Sequence, residues 1–173
     1  MKISSLQKTR YTYIPKLPEM LRNGIADICV KEGEATQSVA DCEKIKALFP
    51  NTYGKKEIVF QKGHNTSETK KQVVGVILSG GQAPGGHNVI CGLYDALKST
   101  NSENVLYGFK NGPIGLLEDD YLIFDDDYIN KFRNTGGFDI IGSGRTKLET
   151  NEQFAVAAEV CKKHGITAIV IIG

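Results

Sequence analysis

Two glycine-rich loops hold the residues best suited to grip an anion. The first, Ser79-Gly80-Gly81-Gln82-Ala83-Pro84-Gly85-Gly86, follows the apolar run Val73-Val74-Gly75-Val76-Ile77-Leu78 and leads into a helix that begins near His87-Asn88. A strand feeding such a turn leaves backbone N–H groups in open space at the positive end of a helix. Hydrogen bonds and the helix dipole together hold phosphate or pyrophosphate there. This loop carries no cation of its own. The second loop, Gly142-Ser143-Gly144-Arg145-Thr146-Lys147, supplies one. The Arg145 guanidinium can grip two phosphate oxygens in a fork, Lys147 adds a point charge, and Ser143 and Thr146 add hydroxyl donors. Two such loops facing one crevice can bracket a diphosphate.

Two familiar phosphate motifs are excluded. Counted from Gly81, the glycine spacing fits a P-loop, but His87-Asn88 stand where Lys-Ser/Thr is required, and the dinucleotide fingerprint G-x-G-x-x-G fails at Gln82 and Ala83. Glycine after a strand also serves plain helix–strand packing. Arg145 alone also suits a surface ion pair. The combination of two loops, with the cation in only one of them, is what favours a phosphate site.

The remaining reactive side chains read as structural. His87, at the first turn of a helix, reads as packing locally rather than moving protons, and His64 and His164 read as solvent-facing. The acidic runs Glu118-Asp119-Asp120 and Asp125-Asp126-Asp127 lack an EF-hand pattern and read as helix N-terminal capping and solvation. Cys29, Cys42, Cys91 and Cys161 have neither C-x-x-C spacing nor a nearby histidine pair, so they read as reduced thiols and no metal site is expected in this chain.

These loops need elements to position them. Apolar residues Ile90, Leu93, Tyr94 and Leu97 fall at i, i+3, i+4, i+7, which predicts a helix between the strands Val73–Leu78 and Val105–Phe109. A short helix over 128–133 should stop at Asn134-Thr135-Gly136-Gly137, and Phe138 to Ile141 should be another strand. Thr150-Asn151-Glu152-Gln153 has capping-box spacing, with Phe154, Ala157, Ala158 and Cys161 on one face of the helix that follows and Gly165 closing it. The continuous apolar run from Ile166 to Ile172 predicts a strand covered by helices on both faces.

The alternation predicts an α/β fold with an open, mostly parallel sheet and flanking helices over 71–173, preceded by an irregular and helical extension over 1–70. In the extension one helix is expected from Thr36 or Ser38 to Phe49-Pro50, followed by a lysine-bearing connector from Lys55 to Lys71. The α/β domain stops after a core strand, where the next loop of such a sheet would begin, so the 173 residues are expected to be part of a longer protein.

Composition narrows the partners. The chain is 40% hydrophobic and 24% charged, with 21 basic against 20 acidic residues and a formal charge of +1, so no broad cationic field points to nucleic acid or an anionic membrane. No signal-like apolar segment follows Met1, and no apolar stretch is long enough to span a bilayer, which predicts a cytoplasmic address.

The residues also resemble a family, the long-form pyrophosphate-dependent phosphofructokinases. The resemblance rests on Ser79-Gly80-Gly81-Gln82-Ala83-Pro84-Gly85-Gly86-His87-Asn88, then Leu106-Tyr107-Gly108-Phe109 with Gly112-Pro113-Ile114-Gly115-Leu116, then Asn134-Thr135-Gly136-Gly137-Phe138-Asp139 through Gly144-Arg145-Thr146-Lys147. In the extension, Leu6-Gln7 with Arg10, Tyr13, Pro15 and Leu17-Pro18, and Leu48-Phe49-Pro50-Asn51-Thr52-Tyr53-Gly54, resemble the same family's amino-terminal segment.

The resemblance implies a phosphofructokinase-like amino-terminal domain. It implies reversible phosphoryl transfer from pyrophosphate to the C1 hydroxyl of fructose 6-phosphate, a step shared by glycolysis and gluconeogenesis. It places Gly80 against the donor and Arg145 on the donor phosphates as the charge-stabilising residue, with Gly81, Gln82, Thr146 and Lys147 completing the diphosphate site. Gln82, where ATP-using relatives carry aspartate, and the extra glycine before His87 favour the pyrophosphate branch. It further implies Mg²⁺, held by acids beyond Gly173, a catalytic base also beyond Gly173, and a homo-oligomer, such as a dimer, for the full-length protein. The 173 residues alone are then a donor-side half-site without activity. Two alternatives stay open: an ATP-dependent 6-phosphofructokinase, and a non-catalytic truncated or regulatory subunit whose last strand pairs with another chain.

Overall fold

A computed structural model describes residues 3–64 and 70–173. They divide into two compact units, one within Met1–Pro15 plus Thr69–Gly173, the other within Lys16–Glu68.

In the smaller unit, strand β1 (Ile28–Ala35) pairs antiparallel with β2 (Lys56–Lys62), with a register shift between Glu32 and Ala35. Helix α2 (Cys42–Leu48) lies in the connection between them. The sequence alone suggested no strands here, because these two are solvent-facing and lack a clean apolar alternation. The helix also starts later than expected. The amide and hydroxyl of Thr36 both donate to Lys55 O, which makes Thr36 a strand-end residue, and Asp41 (φ 53°) takes the cap position. Residues 65–69 of the expected connector lie outside the described residues.

The larger unit holds helix α1 (Ser5–Thr12) and a four-stranded sheet in the order β5-β4-β3-β6. Strands β3 (Val73–Leu78), β4 (Val105–Phe109) and β6 (Ala168–Ile172) are parallel, and the short β5 (Tyr121–Ile123) runs antiparallel to β4. The period of two in β3 builds both faces. Val74, Val76 and Leu78 pack with α3 (Gly86–Thr100) and α5 (Asp126–Phe132) through Ile90, Tyr94 and Ile129. Ile77 packs on the opposite face with Phe109 and with α4 (Pro113–Leu117) and α6 (Asn151–His164) through Leu116, Ala157 and Val160. On that face Gly75 leaves the room that the Phe109 ring fills, since a Cβ there would come within 2.9 Å of Phe109 Cε2.

Local signals were obeyed where they were strong. The Thr150 hydroxyl and the Gln153 side chain form the capping box of α6, Gly165 (φ 64°) ends that helix, and the Asp125 carboxylate caps α5 by accepting from Tyr128 N at 2.7 Å.

Other expectations are corrected. Phe138, Ile140 and Ile141 are buried, but Phe138 to Ile141 is not a strand: Tyr128 Oη donates to Ile140 O, Asn111 N donates to Ile141 O, and the amides of Asp139 and Ile140 turn to the His87 ring. Side chains and loops thus satisfy groups that a neighbouring strand would otherwise take. Strand β6 is covered unevenly. Ile169 packs beneath α6, whereas Ile171 stands 67% exposed. Glu118-Asp119-Asp120 follow α4 rather than open a helix, and His164 is not solvent-facing. Its side chain is 10% exposed, its Nε2 lies 2.7 Å from an Asp119 carboxylate oxygen, and its ring packs on Tyr107 and Tyr121. All four cysteines are free thiols.

Candidate functional site

The two glycine loops meet at the carboxyl end of β3. Ser79 N donates to Ile172 O at 2.7 Å, Gly80 N donates to Gly144 O at 2.8 Å, and Ser79 and Gly144 form a single parallel bridge. Gly80 adopts φ 92°, a left-handed conformation that costs any other residue strain, so the chain turns here without a side chain in the way. From the second loop the Arg145 guanidinium reaches back over the first: a Cβ at Gly81 would come within 2.8 Å of Arg145 Nη2. Gly80, Gly81 and Arg145 are therefore neighbours, although about 65 positions of sequence lie between the loops.

The amide cradle is narrower than the sequence suggests. At the start of α3 two of the amides are already paired. Gly85 (φ 98°) occupies the cap without a side-chain bond, Gly85 N donates to Gly136 O at 2.8 Å, and His87 N donates to Gly137 O at 2.9 Å. These donors, with those of Ser79 and Gly80, are taken up by carbonyl groups. Charge in the site must come chiefly from Arg145.

The other candidates sit around this pair. Gln82 is exposed, Thr146 half-buried and Lys147 exposed, with Lys147 Nζ 3.9 Å from a Glu149 carboxylate oxygen. At that exposure an ion pair holds a side chain only weakly and leaves Lys147 able to turn to an anion.

A third loop belongs to the same edge and was not assigned a role from the sequence. Asn111 (φ 59°) and Gly112 (φ 83°) follow β4, and a Cβ on Gly112 would lie 2.5 Å from Gly144 N, so backbone rests directly on backbone. Asn111 Oδ1 fills the space where a Cβ on Gly142 would lie. The available signal was Gly112-Pro113, a glycine followed by the proline that opens α4.

Among the described residues no group of three His, Cys, Asp or Glu side chains stands together as a metal site. The residues at the loops are amides, hydroxyls and cations, which suit an anion and not Mg²⁺ directly.

Residues 73–173 match the family Phosphofructokinase. The chain is 49% identical over 170 residues to a pyrophosphate–fructose 6-phosphate 1-phosphotransferase of Porphyromonas gingivalis, covering 98% of this chain and 30% of that protein. It is 42% identical over 182 residues to the protein of the same name from Treponema pallidum, covering 100% of this chain and 32% of that one. The chain thus spans about a third of the length of these curated relatives. Its fold resembles a pyrophosphate-dependent phosphofructokinase of known structure from Nitrosospira multiformis, with TM-score 0.51, 24% identity, and coverage of 58% of this chain and 26% of that one. No helix among the described residues is long and apolar enough to cross a membrane.

Proposed function

Since this chain belongs to the phosphofructokinase family, we propose that it forms the phosphoryl-donor side of a pyrophosphate-dependent 6-phosphofructokinase. The reaction transfers a phosphoryl group from pyrophosphate to the C1 hydroxyl of fructose 6-phosphate. A P–O bond of the diphosphate breaks, phosphate leaves, and the hydroxyl proton passes to a base. The single observation that carries this reading is the Arg145 guanidinium set over Gly81 beside the Gly80–Gly144 backbone bond. The names of the relatives from Porphyromonas gingivalis and Treponema pallidum support pyrophosphate as the donor.

Phosphoryl transfer passes through a loose transition state, so positioning and charge neutralisation do most of the work. Gly80 and Gly81 let the donor approach the backbone, Arg145 neutralises charge on the transferring group, and Gln82, Thr146 and Lys147 flank it. Mg²⁺ supplies further charge neutralisation in this family's chemistry. These residues offer it no ligand set, so its ligands and the catalytic base are assigned to residues outside 1–173. We further assign residues 1–70 as an extension to the α/β domain, a cytoplasmic address, and a homo-oligomer for the full-length protein.

The test is an assay of the full-length protein for fructose 1,6-bisphosphate formation with pyrophosphate, and with ATP in its place. Turnover with pyrophosphate and a loss of about a hundredfold or more in kcat on Arg145→Ala are expected, the scale seen when a transition-state charge donor is removed. Turnover with ATP alone, or an unchanged kcat in Arg145→Ala, would overturn the reading.

A further inference from the structure

His87 is buried, only 4% exposed, and sits in the first turn of α3, directly after the first glycine loop. Nothing in the chemistry assigned above uses it. Its ring nevertheless makes more polar contacts with one distant segment than any packing role needs. Nδ1 lies 2.7 Å from Thr135 Oγ1 and 3.2 Å from Gly137 N, and Nε2 lies 3.0 Å from Asp139 N, 3.1 Å from Ile140 N and 2.8 Å from an Asp139 carboxylate oxygen. The ring edge meets Phe132 at a centroid distance of 4.9 Å.

Both neutral tautomers hold that segment. With the proton on Nδ1, the ring donates to Thr135 Oγ1, whose own hydroxyl donates to Phe132 O, and Nε2 accepts the Asp139 and Ile140 amides. With the proton on Nε2, the ring donates to the Asp139 carboxylate and Nδ1 accepts from Gly137 N. The fit is close: a Cβ on Gly137 would lie 2.5 Å from His87 Cε1, so only glycine admits the imidazole there.

The segment 135–140 runs straight into Gly142–Lys147. The stretch 135–147 is tied to the first loop at two places: near the sheet through Gly80 N to Gly144 O, and at the start of α3 through Gly85 N to Gly136 O and the His87 ring. We propose that His87 is a positioning residue, which fixes the loop bearing Arg145 against the loop bearing Gly80 and Gly81 and so sets the guanidinium at the donor. This rests on the donor-site reading above. A displacement of about 1 Å at a charge-stabilising group costs up to a hundredfold in rate without weakening substrate binding equally.

The test is a double-mutant cycle in the full-length enzyme, with kcat and KM measured for His87→Ala, Arg145→Ala and the pair, and with His87→Gln as the conservative variant. His87→Ala should lower kcat about tenfold with KM for fructose 6-phosphate changed less than about twofold, and should add less than about twofold in the Arg145→Ala background. His87→Gln, whose amide oxygen can accept the Asp139 and Ile140 amides, should recover most of the lost kcat. Three results overturn the proposal: full additivity of the two alanine variants, an unchanged kcat in His87→Ala, or a glutamine variant as impaired as the alanine one. If His87→Ala does not fold, the same cycle run with His87→Gln decides by its coupling to Arg145: coupling supports the proposal and additivity overturns it. An unchanged kcat in Arg145→Ala alone instead sinks the donor-site reading, whatever His87 does.

Discussion

The Arg145 guanidinium lies against the Cα of Gly81, so close that a Cβ at that position would come within 2.8 Å of Nη2. The neighbour is the far end of a flexible side chain, not backbone. Gly81→Ala should therefore move the guanidinium while leaving folding stability within about 0.5 kcal/mol. In the full-length enzyme kcat should fall about tenfold or more with an unchanged melting temperature. Thermal denaturation and steady-state assays check this, and an unaltered kcat would place the working position of Arg145 elsewhere.

Gly80 offers the complementary case. Its φ of 92° is hostile to a side chain although its surroundings are open, so Gly80→Ala should cost about 1–3 kcal/mol through strain alone. Chemical denaturation of the two alanine variants side by side should then rank Gly80→Ala as the less stable.

Acid should loosen the junction of α6 with the turn after α4. The Lys163 ammonium, 2.6 Å from the Asp119 carboxylate, holds that carboxyl below its usual range, and His164 adds to the effect against an opposing contribution from burial. A carboxyl depressed on folding contributes stability above its unfolded pKa of about 3.9, and the contribution is lost as pH falls through the lower folded value. Asp119→Asn keeps a residue that tolerates φ 56° and removes only the charge. Its melting temperature should be lower than wild type at neutral pH, with the gap closing below about pH 4. A gap of constant size across that range would refute the assignment.

Tyr94 should titrate well above the ordinary phenol range. Burial, joined by its hydrogen bond to Asp126 at 3.0 Å, pushes the phenol up to about 12. A phenol raised on folding contributes stability fully present below its unfolded pKa of about 10 and lost as pH rises through the folded value. Ultraviolet titration should show a component near pH 12 that disappears in Tyr94→Phe.

Asn134 ties down the end of the amino-terminal helix. Asn134 Nδ2 donates to Arg10 O at 2.9 Å and to Tyr13 O at 3.0 Å, where α1 ends. Asn134→Gly retains the left-handed backbone at this position and deletes the amide. Amide hydrogen exchange over residues 3–13 should quicken, and equal protection in both proteins would show that α1 is held by other contacts.

Much of this molecule could be read locally. The strand over 73–78, the helix after it, the capping box at Thr150 and the left-handed stop at Gly165 rest on signals a few residues wide, and the structure contains each one. The features that differ from the local signals depend on distant partners. Phe138 to Ile141 carries the apolar pattern of a strand because Phe138, Ile140 and Ile141 are buried, yet its backbone groups pair with His87, Tyr128 and Asn111 instead of a ladder. His164 gave no hint of burial, since Tyr107, Asp119 and Tyr121, which surround it, lie more than 40 positions away.

For the candidate site, the residue types in the two loops single out Gly80, Gly81 and Arg145, because anion binding needs close backbone approach and a cation, and the structure brings these three residues together. Residue types could not show which amides remain available. Pairing between loops decides that: the carbonyl groups of Gly136, Gly137 and Gly144 take up donors that a strand–glycine–helix pattern leaves open on paper. Nor could they show that Asn111 and Gly112 complete the edge, or that a single imidazole joins the start of α3 to the segment before Arg145. Chain chemistry chose the loops; their mutual placement came only from packing, because hydrogen-bond partners far apart in sequence are selected by the layers of a folded sheet and not by their neighbours along the chain.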